Sequence, residues 1–213
     1  MTTTGCQWRL LVVVMVVVAS LAPMGDDRVA AELGSTCAGR AVTVDLSLDQ
    51  VPTEANDVIL GTPAGDVIDG LGGLDTICGG GGPDRLNGGD DHDRVFGQAG
   101  DDILRGSAGN DTLDGADGAD VAFGGDGIDR LVGGGGGDRL NGGDQNDLFQ
   151  GGPGADRLNG GDDDDRMNGD AGNDLLDAGA GDDRVNGDAT RDTCHGRRGA
   201  DTQSGCEVTT GIP

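Results

Sequence analysis

Aspartate recurs at every ninth residue through most of this chain. Read in units of nine from Pro52, the 213-residue sequence gives 17 consecutive units that end at Ser204 without an insertion or deletion. The sixth place of every unit is Asp, from Asp57 to Asp201. Carboxylates offer only oxygen, the ligand type that hard divalent cations prefer. A carboxylate repeated in this way indicates repeated cation binding rather than a single reaction centre.

Two further places of the nine-residue unit carry a repeated residue type, and they predict the elements that position these carboxylates. Place one is Gly in 15 units, failing only at Pro52 and Ala178, and place eight is a large apolar residue in 14 units. The place-eight exceptions are Ala122, Cys194 and Gln203. One apolar residue in nine is too sparse for an amphipathic helix. The pattern predicts a three-residue strand with place eight pointing inward, followed by a six-residue turn rich in Gly and Asp.

Several units carry a recognisable motif. GGGGPDRLN (Gly79 to Asn87), GSAGNDTLD (Gly106 to Asp114), GGGGGDRLN (Gly133 to Asn141) and GGPGADRLN (Gly151 to Asn159) resemble the G-G-x-G-x-D-x-U-x calcium repeat of RTX proteins. The resemblance covers residues 52–204. It implies an all-β fold, a right-handed parallel β-roll solenoid with two repeats per coil, and calcium ions between the loops of successive coils.

Stacked coils would bring the aspartates into rows. Asp84, Asp102 and Asp120 would lie one strand spacing apart, roughly 4.8 Å, where carboxylates repel unless a cation lies between them. We therefore expect multiple Ca²⁺ ions as cofactors. The expected metal ligands are Asp66, Asp75, Asp84, Asp93, Asp102, Asp111, Asp120, Asp129, Asp138, Asp147, Asp156, Asp165, Asp174 and Asp183.

Some units depart from the motif. Place four, usually Gly, is Asp91, Gln145, Asp163 or Thr190 in four units, where a side chain would distort the loop or add an acidic ligand. In the last two units Arg191, Arg197 and Arg198 would put positive charge where calcium is expected, so these units are left out of the ligand set. The first unit lacks its glycines and is expected to act as a cap.

The composition limits both core and partners. The chain has 45 Gly, three Phe, no Tyr and a formal net charge of −25. Such acidity argues against nucleic acid and anionic membranes as partners, since both require positive protein surface. So few large apolar residues, with so much charge, are typical of a chain that cannot fold unaided. We expect the calcium-free repeats to be largely unfolded and the loaded repeats to be folded.

Four segments are predicted along the chain. Residues 1–31 contain a 13-residue apolar run and are predicted to be a secretory signal peptide; an uncleaved membrane anchor is the alternative. Residues 32–51 would cap the repeats of 52–204, with Ala41 to Leu48 alternating like a capping strand, and 205–213 would form a C-terminal tail. The mature protein is expected to be extracellular, without stable insertion into a membrane.

Four cysteines remain once the signal segment is removed. An even number in an exported chain favours disulfides, and four cysteines allow three pairings. Cys194 with Cys206 would close a short loop at the end of the array, while Cys37 with Cys78 would tie the N-terminal cap to the first coils. Metal binding by the thiols is the alternative, although their spacing is not that of a zinc site.

Arginine recurs at place seven, as Arg85, Arg94, Arg130, Arg139, Arg157, Arg166 and Arg184. The simple interpretation is charge compensation on the outer strand face. The alternative is a ladder for an acidic polysaccharide, which would make the protein an extracellular carbohydrate-binding or adhesive module with purely structural calcium. Catalysis finds little support, because the chain has no lysine for a phosphate-binding loop and its two histidines, His92 and His195, occupy variable places. The leading hypothesis is a secreted, non-catalytic calcium-binding protein.

Overall fold

A computed structural model describes residues 36–48, 50–188 and 190–210. Each nine-residue unit supplies one strand, and no α-helix occurs within these ranges; the single helical turn is the 3₁₀ segment Leu46–Leu48. The strands are β1 (Thr36–Cys37), β2 (Arg40–Ala41), β3 (Val44–Asp45), β4 (Val58–Leu60), β5 (Val67–Asp69), β6 (Thr76–Gly81), β7 (Arg85–Asp90), β8 (Arg94–Ala99), β9 (Ile103–Ala108), β10 (Thr112–Asp117), β11 (Val121–Asp126), β12 (Arg130–Gly135), β13 (Arg139–Asp144), β14 (Leu148–Pro153), β15 (Arg157–Asp162), β16 (Arg166–Ala171), β17 (Leu175–Ala180), β18 (Arg184–Asn186), β19 (Asp192–Arg198), β20 (Thr202–Ser204) and β21 (Cys206–Thr210).

Alternate strands form two parallel sheets. One has ten strands in the order β20-β18-β16-β14-β12-β10-β8-β6-β4-β3, and the other has nine in the order β21-β19-β17-β15-β13-β11-β9-β7-β5. Successive units therefore lie in opposite sheets, and two units complete one coil of a solenoid with about nine turns. This confirms the predicted all-β, right-handed parallel β-roll.

Stacked coils within the repeats meet at an offset of 18 residues, with a shift where β17 pairs with β19. Leu113 pairs with Leu131, and Leu140 pairs with Leu158. Most strands are six residues long rather than the predicted three, because pairing resumes beyond place one: Ala116, at place two, pairs with Gly134. The residue at place one has no partner in the ladder, because the strand bends there. The turn proper is thus only about three residues, and the prediction of a six-residue turn was wrong.

The core is a single column of side chains between the two sheets. Every place-eight residue from Ile59 to Cys194 is at most 3 % exposed and belongs to one cluster. Ala122 and Cys194, which break the apolar pattern, are inside it with the rest. Because each coil adds only two side chains, the column is narrow. Packing around it cannot by itself account for the order of the loops on either side.

The N-terminal cap differs from the sequence prediction. Ala41 to Leu48 does not form one strand: only Val44–Asp45 pairs in the sheet, beside β4, and the 3₁₀ turn follows directly. The carboxylate of buried Asp45 accepts hydrogen bonds from the backbone and hydroxyl of Ser47, which favours this turn over a continued strand. The first unit acts as a true coil, since Ile59 lies in the core.

Both predicted disulfides are present in the structure. Cys37 is bonded to Cys78 and Cys194 to Cys206, each with 5.8 Å between Cα atoms. The first bond lies in a small apolar cluster with Val42 and Val58 beneath the N-terminal segment. The second lies at the opposite end of the core column. Residues 1–31, with the predicted signal peptide, and the last residues of the predicted tail lie outside the described ranges; no described helix is long and apolar enough to cross a membrane.

Candidate metal centre

The place-six aspartates form two buried rows, one along each side of the roll. From Asp75 to Asp192 every member is at most 3 % exposed, although a carboxylate is among the side chains least often buried. The place-eight residue, two places after the aspartate, points inward and fixes the strand. The turn before that strand places the aspartate at its end, a position that we call the corner of the unit. Burial of so many carboxylates is costly unless hydrogen bonds or cations compensate it.

One oxygen of each carboxylate is satisfied by the neighbouring coil. The backbone N–H of Asp102 donates to Oδ1 of Asp120, and the N–H of Asp120 donates to Oδ1 of Asp138, both at 2.8 Å. The same bond joins every successive pair in both rows, from Asp57 and Asp75 to Asp183 and Asp201. A backbone donor thus lies between stacked carboxylates, where sequence analysis had expected a cation.

The second oxygen has no such partner. Oδ2 is buried and accepts no hydrogen bond within the described part of the chain in fifteen members of the rows. These are Asp75, Asp84, Asp93, Asp102, Asp111, Asp120, Asp129, Asp138, Asp147, Asp156, Asp165, Asp174, Asp183, Asp192 and Asp201. An orphaned buried carboxylate oxygen is rare in folded proteins, and its repetition at one geometric position calls for a common ligand.

Glycine at place one makes room for this oxygen. A Cβ added to Gly115 would lie 2.3 Å from Oδ2 of Asp120 and 2.6 Å from the carbonyl oxygen of Gly133 in the next coil. At Gly133 the corresponding distances are 2.4 Å to Asp138 and 2.5 Å to Gly151. Oδ2 of the unit's own aspartate lies beside every place-one glycine, and a backbone carbonyl oxygen of the next coil converges on the same point beside most of them, which explains the near-invariance of this column.

The donor set of these corners is all oxygen. Hard cations such as Ca²⁺ take six to eight oxygens, carbonyl oxygens and water among them. The described residues contain no group of three or more His, Cys, Asp or Glu side chains gathered closely enough to hold a metal ion. Each corner offers one free carboxylate oxygen, so an ion there would take its other ligands from loop carbonyls and water. The residues present fit calcium on these terms.

The first two aspartates differ from the rest. Oδ2 of Asp57 accepts bonds from the N–H and hydroxyl of Thr53, at 2.8 and 2.9 Å, and Oδ2 of Asp66 accepts the same pair of bonds from Thr62. A threonine at place two thus donates both its bonds to Oδ2, the oxygen that is unpartnered in the later members of the rows. Oδ2 of Asp66, a residue of the expected ligand set, therefore already has two protein donors.

The last two aspartates show the opposite difference. Asp192 and Asp201 have the same unpartnered Oδ2 as the central members, although sequence analysis left them out. Two of the three arginines behind that exclusion are directed to other carboxylates: Arg191 pairs with Glu207 at 3.1 Å and Arg197 pairs with Asp177. Neither guanidinium occupies a corner. Sequence spacing places the arginines in the units but does not give their direction.

Non-glycine residues at place four fit the loop without losing its left-handed conformation. Asp91, Gln145 and Asp163 have φ of 76°, 76° and 73°. Sequence analysis expected a side chain at place four to distort the loop. The difference observed is a smaller φ, since Gly118 and Gly136 at the same place have φ of 145° and 142°. Besides burial, which is the main cause, the charge of Asp91 raises the pKa of Asp75 and Asp93, and that of Asp163 raises the pKa of Asp165, so both place-four carboxylates act on the place-six rows.

Place one has a natural exception at Ala178. Its side chain is fully buried, and it brings a methyl group to the corner of Asp183. At other units a Cβ in this position lies 2.0 to 2.9 Å from Oδ2 of the unit's own aspartate. The corner at Asp183 is therefore more crowded than its neighbours, a difference that the Asp column alone conceals.

Burial shifts the protonation of the free carboxyls. Desolvation raises the pKa of the place-six aspartates from Asp75 to Asp183 above the ordinary 3.8, and neighbouring carboxylates raise it further in most of these groups, while the hydrogen bond to Oδ1 opposes the shift. The pKa rises to about 6 at Asp75, Asp84, Asp120, Asp129 and Asp183, to about 7 at Asp93, Asp147 and Asp156, and to about 8 at Asp165.

We expect the calcium-free chain to be more ordered in mild acid than at neutral pH. The unfolded carboxyls keep their ordinary pKa, so the folded roll binds more protons, and its stability falls as pH rises from about 4 to about 8. Far-ultraviolet circular dichroism of the chelated protein should show more sheet near pH 4.5 than near pH 8. Equal spectra at both pH values would contradict the burial of these groups without a cation.

Comparison with known proteins gives one family. The model of the RTX calcium-binding nonapeptide repeat matches residues 53–86, 87–122, 114–149, 123–158, 141–176 and 169–203, which together span 53–203 without a gap. A search of curated proteins finds no match to this chain.

Proposed function

This chain belongs to the RTX calcium-binding nonapeptide repeat family, and from that premise we propose that it is a secreted, non-catalytic protein whose β-roll folds on binding several Ca²⁺ ions. Repeats of this family bind calcium in general. The observation that carries the proposal here is the set of buried place-six Oδ2 atoms without a donor, most of them beside a carbonyl oxygen of the next coil. A divalent cation would supply the charge that these atoms lack.

The proposed ligands are the aspartates with a free oxygen. They are the expected set from Asp75 to Asp183, to which the structure adds Asp192 and Asp201 as candidates. Asp66 stays in the proposal with the lowest expected affinity, because Thr62 already donates two hydrogen bonds to its Oδ2. Bound calcium would neutralise the rows, while the chain's own residues hold the corner open through place-one glycine and fix each carboxylate through the bond to Oδ1.

A structural rather than catalytic role agrees with the distribution of reactive groups. The carboxylates are repeated identically, so none is distinguished as an acid or a base. His92 is exposed and accepts a hydrogen bond from the backbone of Asn110 through Nδ1. Export is supported by the two disulfides, since such bonds persist mainly outside the reducing cytosol. The predicted segments, with a signal peptide at 1–31 and the repeats at 52–204, belong to the same proposal.

Replacement of one buried aspartate tests the assignment of ligands. Asp120→Asn keeps the acceptor for the backbone bond but puts an amide in place of the free oxygen, so we expect one or two fewer calcium ions per molecule. The matched control is Asp117→Asn in the same unit, because Asp117 is exposed at place three and should leave the stoichiometry unchanged. Calorimetric titration with calcium measures both.

The two variants separate ligation from simple charge. Each removes one negative charge from a chain of −25, so long-range electrostatics change equally. An equal loss in both would show that calcium is held by the overall field rather than at the corners. Unchanged stoichiometry in Asp120→Asn would remove that carboxylate from the ligand set.

A further inference from the structure

Two arginines without acidic partners lie side by side on the outer face of the nine-stranded sheet. Arg139 pairs in register with Arg157, and Asn141 pairs with Asn159 two residues further along the same strands. Neither arginine makes an ion pair within the described ranges, although the chain carries 39 acidic residues. Simple charge compensation, the first interpretation of these arginines, would have placed carboxylates against them.

Apolar side chains close both ends of this surface. Phe123 lies on the strand before Arg139 and is 40 % exposed, while Leu175 lies on the strand after Arg157 and is 36 % exposed. With the arginines and asparagines they line a groove of about 340 Å³. Asp177 also borders the groove, but its carboxylate is paired with Arg197. The groove therefore combines two arginines without ion-pair partners among the described residues, amide groups and a partly exposed aromatic ring, over which the guanidinium of Arg105 lies at 5.5 Å from the centroid.

The spacing of the cations limits the ligand. Arginines on adjacent strands are roughly 4.8 Å apart at the backbone, whereas side chains on one face of an extended peptide repeat at roughly 6.6 Å. A chain of uronic acids carries one carboxylate on each pyranose, a repeat close to one strand spacing. Guanidinium binds carboxylate through two parallel hydrogen bonds, amides bind hydroxyls, and the apolar face of a sugar ring packs on an aromatic ring.

We propose that the groove formed by Phe123, Arg139, Asn141, Arg157, Asn159 and Leu175 binds an acidic saccharide built of consecutive uronic acids. The carboxylates would lie on Arg139 and Arg157, the hydroxyls on the two asparagines, and one ring against Phe123. Nucleic acid does not fit, because two arginines cannot offset the repulsion between its phosphates and a chain of −25.

The inference rests on the proposed calcium loading in one respect. The groove exists only in the folded roll, and bound divalent cations reduce the negative field that an anionic saccharide must approach. Binding is therefore expected only in the presence of calcium. Circular dichroism on the same samples distinguishes a chain that fails to fold from a folded chain that fails to bind.

The opposite sheet provides a matched control. Arg166 and Arg184 pair in register there, with Asn168 and Asn186 beside them, in a groove of about 300 Å³. The residue that corresponds to Phe123 is Gln150, and Ser204 corresponds to Asp177, so this surface has the same pair of arginines and the same two amides without the ring. Variants of this surface measure how much binding two arginines in register provide when no aromatic ring stands beside them.

The experiment uses the full chain loaded with calcium and titrated with trigalacturonate, a probe too short to gel with the ion. We expect saturable binding that weakens at least tenfold in Arg139→Ala/Arg157→Ala, and measurably in Phe123→Ala and in Arg139→Lys/Arg157→Lys, which keeps the charge but loses the fork. Arg166→Ala/Arg184→Ala should bind as the parent does. The carboxyl-reduced trisaccharide should not bind.

Each other outcome overturns the proposal. Equal losses in the two double alanine variants would indicate attraction by net charge alone, and retained binding of the reduced trisaccharide would exclude carboxylate recognition. Equal affinity for inorganic phosphate would indicate a general anion site. Absence of binding by a chain whose spectrum shows the folded roll would exclude the saccharide while leaving the calcium proposal intact.

Discussion

Removal of calcium is expected to abolish most of the sheet signal of this protein at neutral pH. Each coil contributes two core side chains and, along most of the roll, buries two carboxylates that each have an unpartnered oxygen. At neutral pH, burial of ionised carboxylates opposes folding unless a cation is present. Each occupied site adds about 2.7 kcal/mol when calcium exceeds the dissociation constant a hundredfold. A few sites therefore equal the whole stability of an ordinary domain, about 5 to 15 kcal/mol.

Circular dichroism during a calcium titration measures this change. Magnesium is the control, because it requires a smaller octahedral site and gives up its water reluctantly, so it should restore little structure at the same concentration. The disulfides should remain oxidised throughout, which keeps the ends of the roll constant between samples. A chelated sample with the full sheet signal would show that the roll is stable without metal.

The second large effect is expected from a single methyl group at place one. In Gly133→Ala the new Cβ would lie 2.4 Å from Oδ2 of Asp138 and 2.5 Å from the carbonyl oxygen of Gly151, distances that require the corner to move. Because both oxygens belong to a proposed calcium corner, we expect the midpoint of the calcium titration to rise at least tenfold and the loaded protein to lose about 3 kcal/mol, as for other overpacked sites.

Gly135→Ala, two residues along the same strand, is the control. No atom lies closer than 4.0 Å to a Cβ at this position, and its φ is not in the left-handed region. Alanine there should be neutral or stabilise by up to about 1 kcal/mol through the entropy of the unfolded chain. Similar behaviour of the two variants in thermal unfolding and calcium titration would contradict the role given to place one.

The nine-residue period predicted strands and turns that wind a coil, and the resemblance to RTX repeats implied the roll of two units per coil and with it the rows of aspartate. Place eight determines which residue points inward, and the structure places even the exceptions Ala122 and Cys194 in the core. Of the three pairings that four cysteines allow, the structure contains the one that their positions along the chain favoured. These features depend on order along the chain, which a sequence displays directly.

The contacts of individual atoms were not predictable in the same way. The bond from the N–H of one aspartate to Oδ1 of another 18 residues away is created by stacking, and nothing in the column of Asp distinguishes its two oxygens. Likewise, Thr62 satisfies Asp66 only because the turn brings its hydroxyl back within 2.9 Å. The strands are longer than predicted because sequence analysis took glycine at place one as the end of each strand. In the structure, pairing resumes after that glycine.

The offset between coils within the repeats also creates an ambiguity in alignment. If one part of the chain were shifted by a whole coil, that is by 18 residues, aliphatic side chains would still meet in the core and aspartates would still meet at the corners. Most of the contacts therefore do not distinguish the correct register from the shifted one. Only the ends break the equivalence: Val44 pairs with Ile59 at an interval of 15, and each disulfide joins one pair of positions alone. The non-repeating ends therefore determine where the stack begins, and its middle could gain or lose coils in evolution without a new interface.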